Sequence, residues 1–175
     1  MLSEKQILKV LKDRTDLEGA ARDICAKLST LNVKIIKVKD YPSPRYIDNH
    51  DGTVLDTWNN FYLVTLPHTD LPNHFKGEMP WEEGKAACAD LNFAGHKGWF
   101  LHSPQLGFSL VKNNPTGPQI DTSIFKDTKE AGYWTNEEVA WGRSIVRIVN
   151  YDDGDVGYGY KDNGYYVRPV RPASV

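Results

Sequence analysis

Residues 144–170 read SIVRIVNYDDGDVGYGYKDNGYYVRPV, and their punctuation decides the fold class. Three short runs, Ser144–Tyr151, Val156–Lys161 and Tyr165–Val170, are separated by Asp152-Asp153-Gly154-Asp155 and Asp162-Asn163-Gly164. Asx-Gly pairs favour tight turns because such turns need a positive φ, which glycine adopts freely. The spacing therefore predicts an antiparallel meander of short strands. Tyr158 and Tyr160 alternate with Gly157 and Gly159, so the two rings share one strand face.

Working outward from that stretch, Ser103-Pro104 opens a short helix with Leu106, Leu110 and Val111 on its buried side, and Asn113 to Gly117 ends it. Pro80 to Leu91 reads as a second helix. Glu82 and Glu83 suit the positive end of its dipole, and Trp81, Ala87, Cys88 and Leu91 form its apolar face. Arg45 to Asp56 reads as a hairpin turning at Asp48-Asn49-His50-Asp51-Gly52, and Asn59 to Leu66 as a further strand. Residues 67–80 are a proline-rich loop. Tyr41-Pro42-Ser43-Pro44 breaks regular structure and divides a 1–42 extension from a 43–175 domain. In the extension, Ser3/Gln6 and Thr15/Glu18 are capping-box patterns that open two helices, and Val33–Val38 is a strand candidate. Leu17, Ile24 and Leu28 share one apolar helix face there, which either packs on its own domain or docks an oligomer or complex subunit. Together these elements give an α+β fold: a short antiparallel meander, two helices and an N-terminal helical extension.

The chain carries 21 Lys/Arg against 23 Asp/Glu. That near-balance argues against a general polyanion binder, so no nucleic-acid partner is expected. No apolar run approaches the ~20 residues of a membrane span. Met1 to Lys12 is charged throughout and lacks the apolar core of a secretory signal, which favours a cytoplasmic or phage-particle location. Two cysteines, Cys25 and Cys88, make no disulfide framework and are expected as reduced core residues.

The order of several short motifs is similar to that of a known domain family. Asp48-Asn49-His50-Asp51-Gly52-Thr53-Val54-Leu55-Asp56 comes first, then Trp81 and Ala87-Cys88-Ala89-Asp90-Leu91, then Ala94-Gly95 and Gly98-Trp99. Ile120-Asp121 and Phe125 precede Tyr133-Trp134-Thr135, and the chain closes on Tyr166-Val167-Arg168-Pro169-Val170-Arg171. Over about residues 45–172 this series resembles the family named for the C-terminal domain of the Lcl collagen-like adhesin. The resemblance implies a fold like that of C-type lectins and the formylglycine-generating enzyme. The family usually reads Arg-Leu-Pro where this chain has Phe100-Leu101-His102, and a Glu common in the next helix is replaced near Gly107. Many members carry a Cys near the last strand; Pro169 stands in that region here, so the pairing with Cys88 that the resemblance implies is lost, which fits an intracellular setting.

The chemistry-bearing groups point to binding. Cys88 lies between two alanines on an apolar face, unlike the electropositive, partly exposed setting of a reactive thiol, so an oxidase of the formylglycine-generating type is the least favoured reading. His68, Asp70 and His74 share a loop and His50, His96 and His102 are scattered, without the tight spacing of a zinc site. Asp48–Asp51 offers oxygens for calcium only if Asp56 folds back, and otherwise forms a plain turn. Neighbouring carboxylates at Glu82-Glu83 and Glu137-Glu138 point different ways and make no dyad. No catalytic residue, metal or cofactor is expected.

The remaining feature is a C-terminal surface of rings and amides: Trp134, Asn136, Trp141, Asn150, Tyr158, Tyr160, Lys161, Asn163 and Tyr165. Such residues either fill a core or form a rigid contact surface with polar tips. The Asn, Tyr, Asp and Gly content also resembles the variable segment of retroelement-diversified lectin-fold proteins of bacteria and phages. The expectation is a non-catalytic module that recognises a glycan or protein through these residues. The alternative is an accessory subunit docking through its N-terminal helices.

Overall fold

The computed structural model describes residues 42–65, 71–126 and 128–173. The predicted N-terminal helices, the Val33–Val38 strand, the Leu17, Ile24 and Leu28 face, Cys25, His68 and Asp70 lie outside the described residues.

The hairpin forms where the sequence places it. Strand β1 (Tyr46–Asp48) pairs antiparallel with β2 (Thr53–Asp56), Tyr46 opposite Asp56. Its turn needs left-handed backbone at His50 (φ 60°) and Gly52 (φ 87°). Asp48 accepts from the His50 N–H, and Asp51 accepts from both the N–H and hydroxyl of Thr53. Both carboxylates thus close the turn. Asp56 turns away from it, taking Arg45 and Asn59 as donors at 3.0 and 2.7 Å, fully buried. Strand β3 (Phe61–Val64) continues the sheet.

Both helices start where their sequences predict. In α1 (Trp81–Asp90), Pro80 holds the extended cap position and Glu82 and Glu83 occupy the first turn. Gly84 allows close approach, since a Cβ there would lie 2.8 Å from Val167. In α2 (Pro104–Ser109), the Ser103 hydroxyl accepts from the Leu106 N–H at 3.1 Å. Between them, Phe100–Leu101 forms the short strand β4.

The C-terminal region departs from the predicted meander. Strands β5 (Gly132–Glu138), β6 (Ile145–Asn150) and β7 (Asp155–Tyr160) make a three-stranded antiparallel sheet in that order. Tyr165–Val170 does not join it as a further strand. Tyr165 bridges to Met79 and Tyr166 to Tyr133, and Pro169–Pro172 becomes β8, inserted between β3 and β4 in the other sheet. The physical reason is the turn at Asn163-Gly164: Gly164 lacks the positive φ that Gly154 has (79°) and packs on Glu78 instead. The chain therefore leaves the sheet rather than reversing beside β7. The larger sheet runs β1-β2-β3-β8-β4, all antiparallel.

The described domain is thus α+β, two antiparallel sheets with two helices. Trp81, Trp99 and Trp134 are all but inaccessible in its core, each contributing roughly 5 kcal/mol of apolar burial. Cys88 is buried and free.

Candidate ligand-binding surface

The glycine–tyrosine alternation of β7 sorts its two faces. On the inner face, Gly157 lies over Ile148 and Gly159 over the Tyr165 ring, where neither position has room for a large side chain. On the outer face, Tyr158 stands opposite Arg147, Tyr160 opposite Ile145 and Val156 opposite Val149. Helix α2 covers the Val149 end of this face, since Gly107 packs directly on Val149. The Tyr158 and Tyr160 end is left open, with the two rings 58% and 59% exposed.

A third ring joins them from the β5–β6 connection. Strand β5 is irregular between Trp134 and Glu138, and a turn follows in which the Val139 N–H donates to Ile145 and the Gly142 N–H to Val139. Val139 is buried and anchors this turn, and Trp141 projects from it. The Trp141 and Tyr158 rings meet edge to face, 5.5 Å between centroids at 86°. Beside them a groove of about 310 Å³ runs between Phe108 of α2 and the Arg147–Glu137 ion pair, whose atoms are 3.2 Å apart. Phe108 is itself half exposed.

Of the nine residues picked from the sequence, the structure gathers Trp141, Tyr158 and Tyr160 on one face. Asn136 and Asn163 are exposed, the latter in the turn that follows β7. The others are accounted for differently. Trp134 is a correction: it is fully buried, and its indole N–H donates to the Met79 carbonyl at 2.8 Å, so it presents nothing to a ligand. Tyr165 packs edge-on against Trp134, 4.7 Å between centroids, and fills the space under Gly159. The Asn150 side chain accepts from the Asp152 N–H and caps a turn. Lys161 is half-buried, bonded to Glu138 at 2.8 Å and placed over the Trp81 ring. Sequence reading missed Phe108, Glu137 and Arg147 as parts of this face. The signals were present: Phe108 falls out of phase with Leu106 and Leu110, and Arg147 alternates with Val146 and Ile148.

Two of the groups with perturbed acidity, Cys88 and His102, are fully buried. Burial pushes the Cys88 thiol up to about 12, so its thiolate is scarce at neutral pH. Burial and the nearby Arg168 charge push His102 down to about 4, against its contact with the Ser103 carbonyl. His102 and Gly107 pack against each other: a Cβ at position 107 would lie 2.5 Å from the His102 ring. Among the described residues no three His, Cys, Asp or Glu side chains gather to hold a metal. A larger cavity of about 530 Å³ near His74, Phe75, Glu78 and Asp90 involves none of the picked residues.

The outer face is therefore one of exposed rings and one ion pair, on an α+β scaffold. The profile of the Lcl C-terminal domain family matches residues 51–171, more than two-thirds of the chain, and the chain belongs to that family. No curated protein matches the chain. Among the described residues, no helix is long and apolar enough to cross a membrane.

Proposed function

We propose that this domain is a non-catalytic binding module of C-type-lectin-like fold, which recognises a protein or glycan through the outer face of β6 and β7. The observation that carries the reading is the exposure of Trp141 (67%), with Tyr158 and Tyr160 beside it, on a rigid sheet. Large rings left in water at one place are uncommon on a surface that binds nothing. They supply contact area at low entropic loss, and the Arg147–Glu137 pair at the groove rim adds directed hydrogen bonds. The C-type-lectin-like assignment draws support from the family and from β8, which closes the sheet antiparallel against β3. The non-catalytic assignment draws support from the buried thiol of Cys88 and from the absence, among the described residues of the ring face, of a nucleophile beside a base.

The test is a screen of the purified chain on a glycan array and a displayed peptide library, followed by Trp141→Ala. Trp141 is mostly in water, so its removal leaves the melting temperature within about 2 °C while weakening any captured ligand at least roughly tenfold. A ligand whose affinity is unchanged from wild type by both Trp141→Ala and Tyr160→Ala would place recognition elsewhere. Turnover of a ligand on this face would replace binding by catalysis.

A further inference from the structure

Strand β7 is an edge strand of unusual character within this domain. The bond from the Lys161 N–H to the Ser144 carbonyl makes that pair a hydrogen-bonded one, and the register runs without slip to Asn150 opposite Asp155. By the alternation of antiparallel pairing, Asp155, Gly157 and Gly159 direct their backbone groups at β6. Val156, Tyr158 and Tyr160 direct theirs away from the sheet. Two of those outward groups are satisfied locally: the Val156 N–H donates to the Asp155 carboxylate, and the Tyr160 carbonyl accepts from Asn163. Four remain without a partner among the described residues: the Val156 carbonyl, both backbone groups of Tyr158, and the Tyr160 N–H.

The domain's other sheet edges are short or covered. Strand β1 has three residues and follows Pro42 and Pro44, and β4 has two. The outer edge of β5 is closed by bonds from Trp134 to Tyr166, from Tyr166 to Gly132 and from Asn136 to His102. Strand β7 has six residues, no proline and exposed rings, and so lacks the usual protections against edge pairing.

The four open groups are complementary to themselves under a twofold axis at Tyr158. We infer that β7 pairs antiparallel with β7 of a second copy of this chain, Tyr158 opposite Tyr158, joining two three-stranded sheets into one of six. In that register the two Tyr158 residues exchange a pair of bonds. Each Tyr160 N–H then donates to the Val156 carbonyl of the other copy, so all four open groups on each copy are used. The locally satisfied groups are those left over. Charges agree as well, because Asp155 falls beside Lys161 of the other copy on the inner face. Gly157 meets Gly159 there, which leaves no side chain to clash. On the outer face the pairing sets the two Tyr158 rings side by side. This association needs no ligand, so its test is independent of the binding function proposed above.

Sedimentation of the full chain over a range of concentrations, with nothing else added, gives a monomer–dimer equilibrium. Tyr158→Lys, at an exposed position, brings two like charges together on the axis and raises the dissociation constant at least roughly tenfold, with an unchanged circular dichroism spectrum. Register is read by crosslinking in a Cys25→Ser background. Directly opposed residues have Cα atoms about 5.5 Å apart, within disulfide reach, so Tyr158→Cys forms an intermolecular disulfide on mild oxidation. Tyr160→Cys is as exposed, but its two copies lie about 13 Å apart along the strands and stay reduced. A chain that remains monomeric at every concentration overturns the inference. So does a dimer indifferent to Tyr158→Lys, or equal crosslinking of the two cysteine variants.

Discussion

At position 102 a histidine is held entirely out of water. Its Nδ1 faces the Ser103 carbonyl at 3.1 Å, an acceptor that favours the proton on this nitrogen; its Nε2 has no hydrogen-bond partner among the described residues. The ring is therefore neutral, and charging it means burying a second cation near Arg168. The folded value of about 4 lies below the ordinary 6.5, so between those values the unfolded chain binds more protons. Stability is full above about pH 6.5 and falls as the pH drops toward 4, by up to about 3 kcal/mol from this residue. Urea unfolding of the wild type and His102→Leu across that window measures it: the variant has the flatter profile. Equal slopes would assign acid sensitivity to other groups. Gly107→Ala tests the same contact from the other side. Its methyl would lie 2.5 Å from the ring and 2.8 Å from Val149, a clash worth about 1 to 3 kcal/mol of stability.

Within β7, neighbouring glycines have different duties. Alanine at position 157 would sit an ordinary 3.5 Å from Ile148, whereas at 159 it would overlap the Tyr165 ring. Gly157→Ala is thus expected within about 0.5 kcal/mol of wild type in thermal unfolding, and Gly159→Ala about 1 to 3 kcal/mol below it. A reversed order would mean that Tyr165 is not fixed beneath the sheet. The same strand shows how much could be read in advance. Alternation told that Tyr158 and Tyr160 share a face, and the Asp-Gly turns, the Ser103 cap and the Pro80 start placed the first hairpin, both helices and the β6–β7 pair. What alternation does not carry is which face another element covers. Trp134 and Trp141 look alike in the sequence; β5 turns the first inward, and the turn after it leaves the second in water. Asn163-Gly164 looked like a hairpin turn because its composition matches one. Only the packing of Gly164 on Glu78 shows that the chain departs there for the other sheet.

Across the whole molecule, Arg168 joins parts that are distant in sequence. It is fully buried, donates to the Val64 carbonyl at 2.9 Å and to the Thr128 hydroxyl at 2.8 Å, and lies over the Phe125 and Tyr133 rings. The guanidinium thus ties the end of β3 to the strand β5 side of the core. A lysine cannot reach both acceptors from one point charge, so Arg168→Lys is expected to lower unfolding stability by about 2 to 4 kcal/mol in urea. An unchanged midpoint would show that its planar reach is dispensable. The short turn between β2 and β3 has a different consequence. The Trp58 indole N–H holds the Pro42 carbonyl at 2.8 Å, and the Asn60 carbonyl accepts from Ala173 at 2.9 Å. Entrance and exit of the domain are fastened to one corner, so it is shaped as a cassette: spliced into a surface loop of a carrier protein, it requires little separation of the host's backbone at the insertion point.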